Sequence, residues 1–487
     1  MSEIKVNKIS PRTACGTTTL GDSGDTFTIP SGVTITNNGT ANGFGATGAV
    51  NWQTTVKTSG FTAVAGEGYF VNTTSGAISV NLPAGTAGAV VGFKDYANTF
   101  DTGNVTLVQN GSDKIGGSTV NATLSTEGQA VTLVFIDSTQ GWLVTDSGLQ
   151  SDVPTAEFIA ATGGTITTVC TNFKVHTFTG PGTFCVSAAG NAAGSNTVEY
   201  LVVAGGGAGG ADLGGGGGAG GFRTVFPSPA SGGLPVTATG YPVTVGAGGA
   251  PQSSPNPTGG ARGNSGSNSV FTGSSTITSA GGGGGGGAPV PQGEGAGANG
   301  GSGGGTSGYA PTPTAGGLGN QPPTPVSQGN NGGAGGGAGS TYPGAGGGGA
   351  GAVGGTPPNS SSPGSAGGAG TQLNIDSNNY YWAGGGGGSA YTNGNGGPGG
   401  IGGGGGGGTD FGPSGAGTGS GGGSAINSGT AGTTGPTSGG PVVGGAGGAN
   451  SGGGGGAGGH GGTSGVQPFN KGGNGGSGIV IIRYKFQ

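Results

Sequence analysis

Several groups of residues in this chain have types and spacings that suit particular chemistries. Gly205, Gly207 and Gly210 follow the apolar run "VEYLVVA" and satisfy G-x-G-x-x-G, the turn that seats a dinucleotide pyrophosphate on a helix N-terminus. Asp212, Glu294, Asp376 and Asp410 are the carboxylates of residues 205–478, and carboxylate pairs on β scaffolds cleave glycosidic bonds. His176, His460, Cys15, Cys170 and Cys185 are of metal-ligating type. Finally, Tyr309, Tyr342, Tyr380, Tyr381, Trp382, Tyr391 and Phe411 lie in or beside inserts rich in Asn, Ser and Thr. Rigid amphipathic rings among small polar groups make a recognition surface.

Most of these readings fail on their surroundings. A dinucleotide turn needs a helix after it and an acid about twenty residues on. The stretch after Gly210, "ADLGGGGGAGGFRTVFPSP", has neither. The carboxylates stand alone in their inserts, so no local pair argues for hydrolysis. His176 lies on a strand-like run and reads as a half-exposed β residue; His460 lies in "GGHGG" without ligand partners nearby. No catalytic residue, metal site or cofactor is expected. For Cys170 and Cys185 two readings stay open, a disulfide across a hairpin or two small buried residues. The aromatic inserts keep a positive signal: recognition for some rings, plugging of the scaffold ends for others, above all Tyr380-Tyr381-Trp382.

The elements that would position these residues follow from an unusual composition. Of 487 residues, 137 are Gly and 28 Pro, with 30% apolar and 6% charged residues and a net charge of −5. Charge is thin and unclustered, so nucleic acid is not an expected partner. "MSEIKVNKIS" lacks the apolar core of a signal peptide, and "YLVVA" and "IVIIRY" are too short to cross a bilayer as helices. The chain is expected not to be membrane-embedded.

Residues 1–48 alternate at period two in "DTFTIPSGVTITNNG", and residues 49–150 continue with "GYFVN", "AISVNLP", "AVVGFKDY", "NVTLVQN", "QAVTLVFID" and "GWLVTDS" between turn residues. That rhythm predicts a small β-sandwich or jelly roll. Residues 151–204 predict a linker and a β-hairpin turning at Gly180-Pro181-Gly182, then the strand Tyr200–Ala204. No segment carries the apolar period of an amphipathic helix. From Gly205 to Gly478, Gly runs alternate with polar inserts before the closing strand "GIVIIRYKFQ".

Gly-rich text without a period defaults to disorder. Here, charged residues are sparse, and two strongly apolar strands bound the region. A free "IVIIRY" would aggregate, so the region is expected to leave the first strand and return the last one to pair with it. Glycine runs that do so can pack as polyglycine-II helices, three residues per turn, bonded backbone to backbone.

The N-terminal text "IKVNKISP…LGDSGDTFTIPSGVTITNNGTANGFG" and "WQTTVKTSGFTAVAGEGYFVNTTSGAISVNLPAG…GWLVTDSGLQSDV" resembles tail-fibre proteins of marine bacteriophages, cyanophages in particular, over about the first 150 residues. "KVHTFTGPGTFCVS…VEYLVVAGGGAGG…GGSGIVIIRY" is similar in kind to the polyglycine-II adhesins of T-even-type phages. The resemblance implies a homotrimeric virion component that attaches to the tail, baseplate or preceding fibre through its N-terminus. It further implies host receptor binding by loops at the end of a glycine scaffold, and release by lysis. The expected organisation is an attachment segment (1–48), a β spacer (49–150), a hairpin neck (151–204), a glycine-rich tip (205–478) and a closing strand (479–487). The expected fold class is mainly β followed by a polyglycine-II sandwich, with almost no α-helix. The alternatives are a glycine-rich structural or surface-matrix protein and a polysaccharide-cleaving spike.

Overall fold

The computed structural model describes residues 50–149, 156–192, 194–227, 233–252, 260–288, 295–310, 314–336, 341–391, 394–410, 419–435, 441–460 and 470–487, with Thr26 and Thr28. The expected attachment segment, 1–48, lies outside them apart from those two threonines. The regular elements among the described residues are all strands, with no α-helix. The chain divides into two compact units, Met1–Pro154 and Thr155–Gln487.

Unit 1 holds β1 (Asn51–Lys57), β2 (Phe61–Thr62), β3 (Glu67–Val71), β4 (Ile78–Asn81) and β5 (Val90–Asp95). It continues with β6 (Val105–Val108), β7 (Ala122–Leu124), β8 (Gln129–Phe135) and β9 (Trp142–Leu149). The sheets run β1-β3-β5-β8-β9 and β2-β4-β6-β7. They share one core, in which Tyr69, Val71, Val91 and Phe93 of the first meet Ile78, Val80, Val105 and Leu107 of the second. The pairs β1–β3, β3–β5, β2–β4 and β4–β6 are parallel, unlike a jelly roll. Parallel pairing needs a crossover, and here a strand of the opposite sheet supplies each one. The buried Asp95 carboxylate is satisfied by the amides of Thr99, Phe100 and Gly128 at 3.0–3.1 Å.

Unit 2 begins with β10 (Ala160–Thr162), β11 (Thr165–Val169), β12 (Phe173–Phe178), β13 (Gly182–Ala188) and β14 (Thr197–Val203). After them come β15 (Phe222–Thr224), β16 (Leu234–Pro235), β17 (Gly240–Thr244), β18 (Ser269–Thr272) and β19 (Thr276–Ser279). The last strands are β20 (Thr371–Leu373), β21 (Tyr380–Trp382) and β22 (Ile479–Lys485). Gly180-Pro181-Gly182 does not close the expected hairpin. β12 pairs with β11 and β22 and β13 with β10 and β17, so this turn carries the chain from one sheet to the other.

The closing strand pairs with the opening one, as expected: β22 lies antiparallel between β12 and β14, with Tyr200 opposite Ile482 and Val203 opposite Ile479. Both strands are apolar without alternation because both faces are covered. Val198, Tyr200, Val202, Val480, Ile482 and Tyr484 face the second sheet. Leu201, Val203, Ile479 and Ile481 face Trp382, Ile375 and Ala219 on the other side.

Beyond that sheet the glycine runs form a hydrogen-bonded lattice with a strict three-residue period. The amides of Gly205, Ala208 and Ala211 donate to Ser267, Asn264 and Ala261; those of Gly206 and Gly209 donate to Gly476 and Gly473; those of Gly207 and Gly210 donate to Gly218 and Gly215, all at 2.8–3.1 Å. Successive residues thus bond to three different neighbours, as a three-fold extended helix requires. Residues 214–220 repeat the pattern toward 452–458, 283–286 and 345–348. A Cβ added at Gly206, Gly217 or Gly454 would stand 2.0–2.2 Å from a neighbour's carbonyl oxygen, which is why these positions are glycine. Ala208, Ala211, Ala219, Ala345 and Ala457 are fully buried in the same runs, so some seams accept a methyl group.

Candidate functional site: the aromatic end of the lattice

The lattice has two ends. Runs leave the sheet at Ala204 and return at Gly221, whose carbonyl accepts from the Ala204 amide. They turn over at Asp212-Leu213, both held at positive φ (50° and 51°). At this far end, Gly308 bonds to Leu213, Gly344 to Ser389, Ser389 to Gly214, Gly214 to Gly458, Tyr391 to Thr341 and Asp410 to Ala390. These backbone bonds bring together side chains that are far apart in sequence.

Three of the seven expected recognition residues meet there. Tyr309 stacks on Tyr342 with ring centroids 5.4 Å apart, and Tyr342 stands edge-on to Tyr391 at 5.9 Å. Tyr391 is in turn edge-on to His460 at 5.3 Å, and His460 Nδ1 lies 2.6 Å from Asp212 Oδ1. Tyr309 is 49% exposed. Tyr342 has a φ of 39°, a conformation that costs energy in a non-glycine residue and tends to persist at functional sites. Sequence reasoning missed His460 and Asp212, read as isolated groups. Their common signal is position: each lies at the end of a glycine run.

The other candidates lie elsewhere. Tyr380, Tyr381 and Trp382 form β21, paired with β20 at the sheet end. Trp382 is fully buried against Leu201, Val203 and Ile375, its indole N–H donating to the Leu373 carbonyl at 3.1 Å, and Tyr380 packs edge-on to it. This hairpin seals the lattice against the sheet. Phe411 and Glu294 lie outside the described residues. Asp376 accepts from the backbone and side-chain amides of Asn378 within its own turn. Among the described residues no cluster of three His, Cys, Asp or Glu side chains suits a metal. Cys170 and Cys185 are free, exposed thiols, neither paired nor buried. They belong to different sheets, Cys170 just after β11 and Cys185 within β13, opposite Thr162 and Gly240.

Electrostatics separates the two histidines. The hydrogen bond to Asp212 is the main influence holding His460 above its ordinary value of 6.5; burial opposes it, and the charges of Asp212 and Asp410 add to it. His176 is fully buried rather than half-exposed, because β12 is covered on both faces. Its Nδ1–H donates to the Gly163 carbonyl at 2.7 Å and its Nε2 accepts from Tyr484 Oη at 3.2 Å. Burial is the main cause of its lowered pKa, with the Gly163 bond opposing and the Lys174 charge assisting. Burial also raises Tyr391, helped by Asp410, Tyr342 and Asp212.

The two pairs therefore carry opposite pH signatures. Stabilisation by the His460–Asp212 pair is complete below pH 6.5 and is lost as pH rises through the higher folded-state pKa. Stabilisation by neutral His176 is complete above pH 6.5 and is lost as pH falls toward its lower folded-state pKa. An NMR titration of the two imidazoles should show midpoints on opposite sides of 6.5. Two coincident midpoints near that value would contradict both environments.

A cleft of about 550 Å³ beside the sheet is lined by Phe173, Phe226, Glu199 and Arg483. The Arg483 guanidinium sits over Phe173 and Phe226 at 4.1 and 4.9 Å, with Nε 3.5 Å from Glu199. This cation is paired and packed within the sheet. No described helix is long and apolar enough to cross a membrane.

A family model described as "Glycine-rich domain" matches residues 178–443, from the last residue of β12 through most of the lattice. The chain belongs to this glycine-rich domain family. No curated protein matches the chain. Within the matched part of the glycine-rich domain lie Asp212, Tyr309, Tyr342 and Tyr391; His460 and β22 lie beyond it.

Proposed function

We propose that this glycine-rich protein is a phage tail fibre whose lattice presents a receptor-binding end to the host cell. The observation that carries the reading is the convergence of Tyr309, Tyr342 and Tyr391 at the end of the lattice remote from its sheet. Backbone-to-backbone packing makes that support stiff, and preorganised aromatic anchors lower the entropy lost on binding. The N-terminal resemblance to tail fibres of marine phages supplies the biological setting. In this reading residues 1–48 attach to the tail or preceding fibre, 49–150 act as a spacer and 151–204 as a neck. The fibre is a homotrimer in the virion, released by lysis, and works by binding without bond chemistry.

A glycine-rich structural or surface-matrix protein is the second reading, favoured by the family match, which speaks only of glycine content. The experiment that separates them adds purified full chain to marine bacterial strains, cyanobacteria included, before challenge with phage. Binding to susceptible cells and a block of adsorption are expected. Exchanging the inserts flanked by far-end residues (253–259, 289–294, 411–418 and 461–469) between related fibres should move host range, whereas exchanging 371–382 should not. Failure to bind any susceptible strain would remove the adhesin reading.

A further inference from the structure

We infer that the tyrosine stack at the far end is a subsite for a neutral pyranose sugar, a deepening that rests on the adhesin reading. Four features of the cluster point to this ligand chemistry. First, Tyr309 is 49% exposed and its ring is held in place by Tyr342, the two planes inclined by 25°. A fixed, solvent-facing aromatic ring has an electron-rich face, and the C–H groups on one side of a pyranose complement it.

Second, the polar groups around the rings are unpartnered among the described residues. The hydroxyls of Tyr309, Tyr342 and Tyr391 and the Nε2 of His460 make no hydrogen bond among the described residues, and none is a buried orphan. They offer donors and acceptors at the rim of an apolar platform, matching sugar hydroxyls. The Asp212 bond fixes the imidazole through Nδ1 and leaves Nε2 without a partner among the described residues.

Third, two carboxylates lie close to the rings. The charges of Asp212 and Asp410 act on both Tyr391 and His460. A sialylated, sulfated or phosphorylated ligand would meet like charge. Fourth, the described backbone around the rings is committed to the lattice rather than presented as a strand edge to a peptide. The amides of Gly214, Gly344, Ser389, Tyr391 and Asp410 are already bonded within the lattice, and strand addition needs free ones.

The Tyr342 and Asp212-Leu213 backbones sit in the left-handed region at 39°, 50° and 51°. The lattice bears this strain where the stack and the His–Asp pair are anchored.

The test applies the full chain to immobilised neutral hexose and 6-deoxyhexose oligosaccharides, with sialylated and sulfated oligosaccharides alongside. Binding to neutral members is expected. Tyr309→Ala should weaken it about tenfold, the loss of one aromatic contact, while Tyr309→Trp should retain it; an unchanged melting temperature shows that the half-exposed position leaves folding intact. Absence of binding to every neutral sugar, a preference for the anionic set, or indifference to Tyr309→Ala would overturn the inference. A parallel cell assay separates it from the adhesin reading. Binding that survives periodate oxidation of the cells but not proteolysis leaves the adhesin standing and removes the sugar subsite. Loss on periodate treatment supports both. No cell binding at all removes the adhesin, and the oligosaccharide panel still decides the subsite.

Discussion

Gly217→Ala is expected to destabilise the glycine-rich unit by about 3 kcal/mol or more, the upper range for overpacking a close-packed interior. The added Cβ would stand 2.2 Å from the Gly207 carbonyl oxygen. Neither partner can yield. Gly217 donates to Gly455 and accepts from Gly386, while Gly207 donates to Gly218 and accepts from Gly455. Moving one chain by the ångström needed would break bonds to several neighbours at once. The control is Gly423→Ala, where no atom lies within 4 Å of the added Cβ. That change should be neutral or stabilise by up to about 1 kcal/mol through the unfolded chain. Thermal melting of both variants tests the pair of expectations. Equal and small effects would mean that the lattice is not close-packed.

Deleting Ile479–Gln487 should abolish folding of the second unit. β22 is the central strand between β12 and β14, and Ile479, Val480, Ile481, Ile482 and Tyr484 are 0–3% exposed. At about 1.5–3 kcal/mol for each large buried side chain, five such residues contribute roughly as much as the 5–15 kcal/mol by which a typical domain is stable. The deletion also leaves both neighbouring strands with open edges, so insoluble or protease-sensitive product is the expected outcome. A soluble, cooperatively melting truncated chain would show that the closing strand is dispensable.

Much of the fold was legible because apolar patterning is local. "VEYLVVA" and "IVIIRY" announce strands covered on both faces, and their distance in sequence demands that the glycine region return. The three-residue period of the lattice was legible as a possibility, since glycine runs without Cβ have few other ways to satisfy buried amides. The course of the chain at Gly180-Pro181-Gly182 was not. The same turn residues serve a hairpin or a crossing between sheets, and only long-range pairing to β22 and β17 decides.

The site divides in the same way. Aromatic rings beside polar inserts picked out Tyr309, Tyr342 and Tyr391, which the lattice brings together, and Tyr380, Tyr381 and Trp382, whose run into glycines already pointed to plugging of a scaffold end. Which end of a glycine run an insert occupies depends on run direction, and glycines carry no side chain to reveal it. The His460–Asp212 contact spans 248 residues and exists only because 204–211, 214–221 and 451–459 are neighbours in the lattice. His176 was misjudged because strand alternation alone does not show that a sheet has a second covered face.

Native-state hydrogen exchange, resolved by residue, tests the central claim that a rigid glycine lattice carries the recognition end. Amides of Gly206–Gly210, Gly215–Gly220, Gly283–Gly286 and Gly454–Ala457, bonded to neighbours on several sides, should exchange as slowly as those of β14 and β22. Exchange of these glycine amides at the rate of an unstructured chain, with β14 and β22 still protected, would contradict the account.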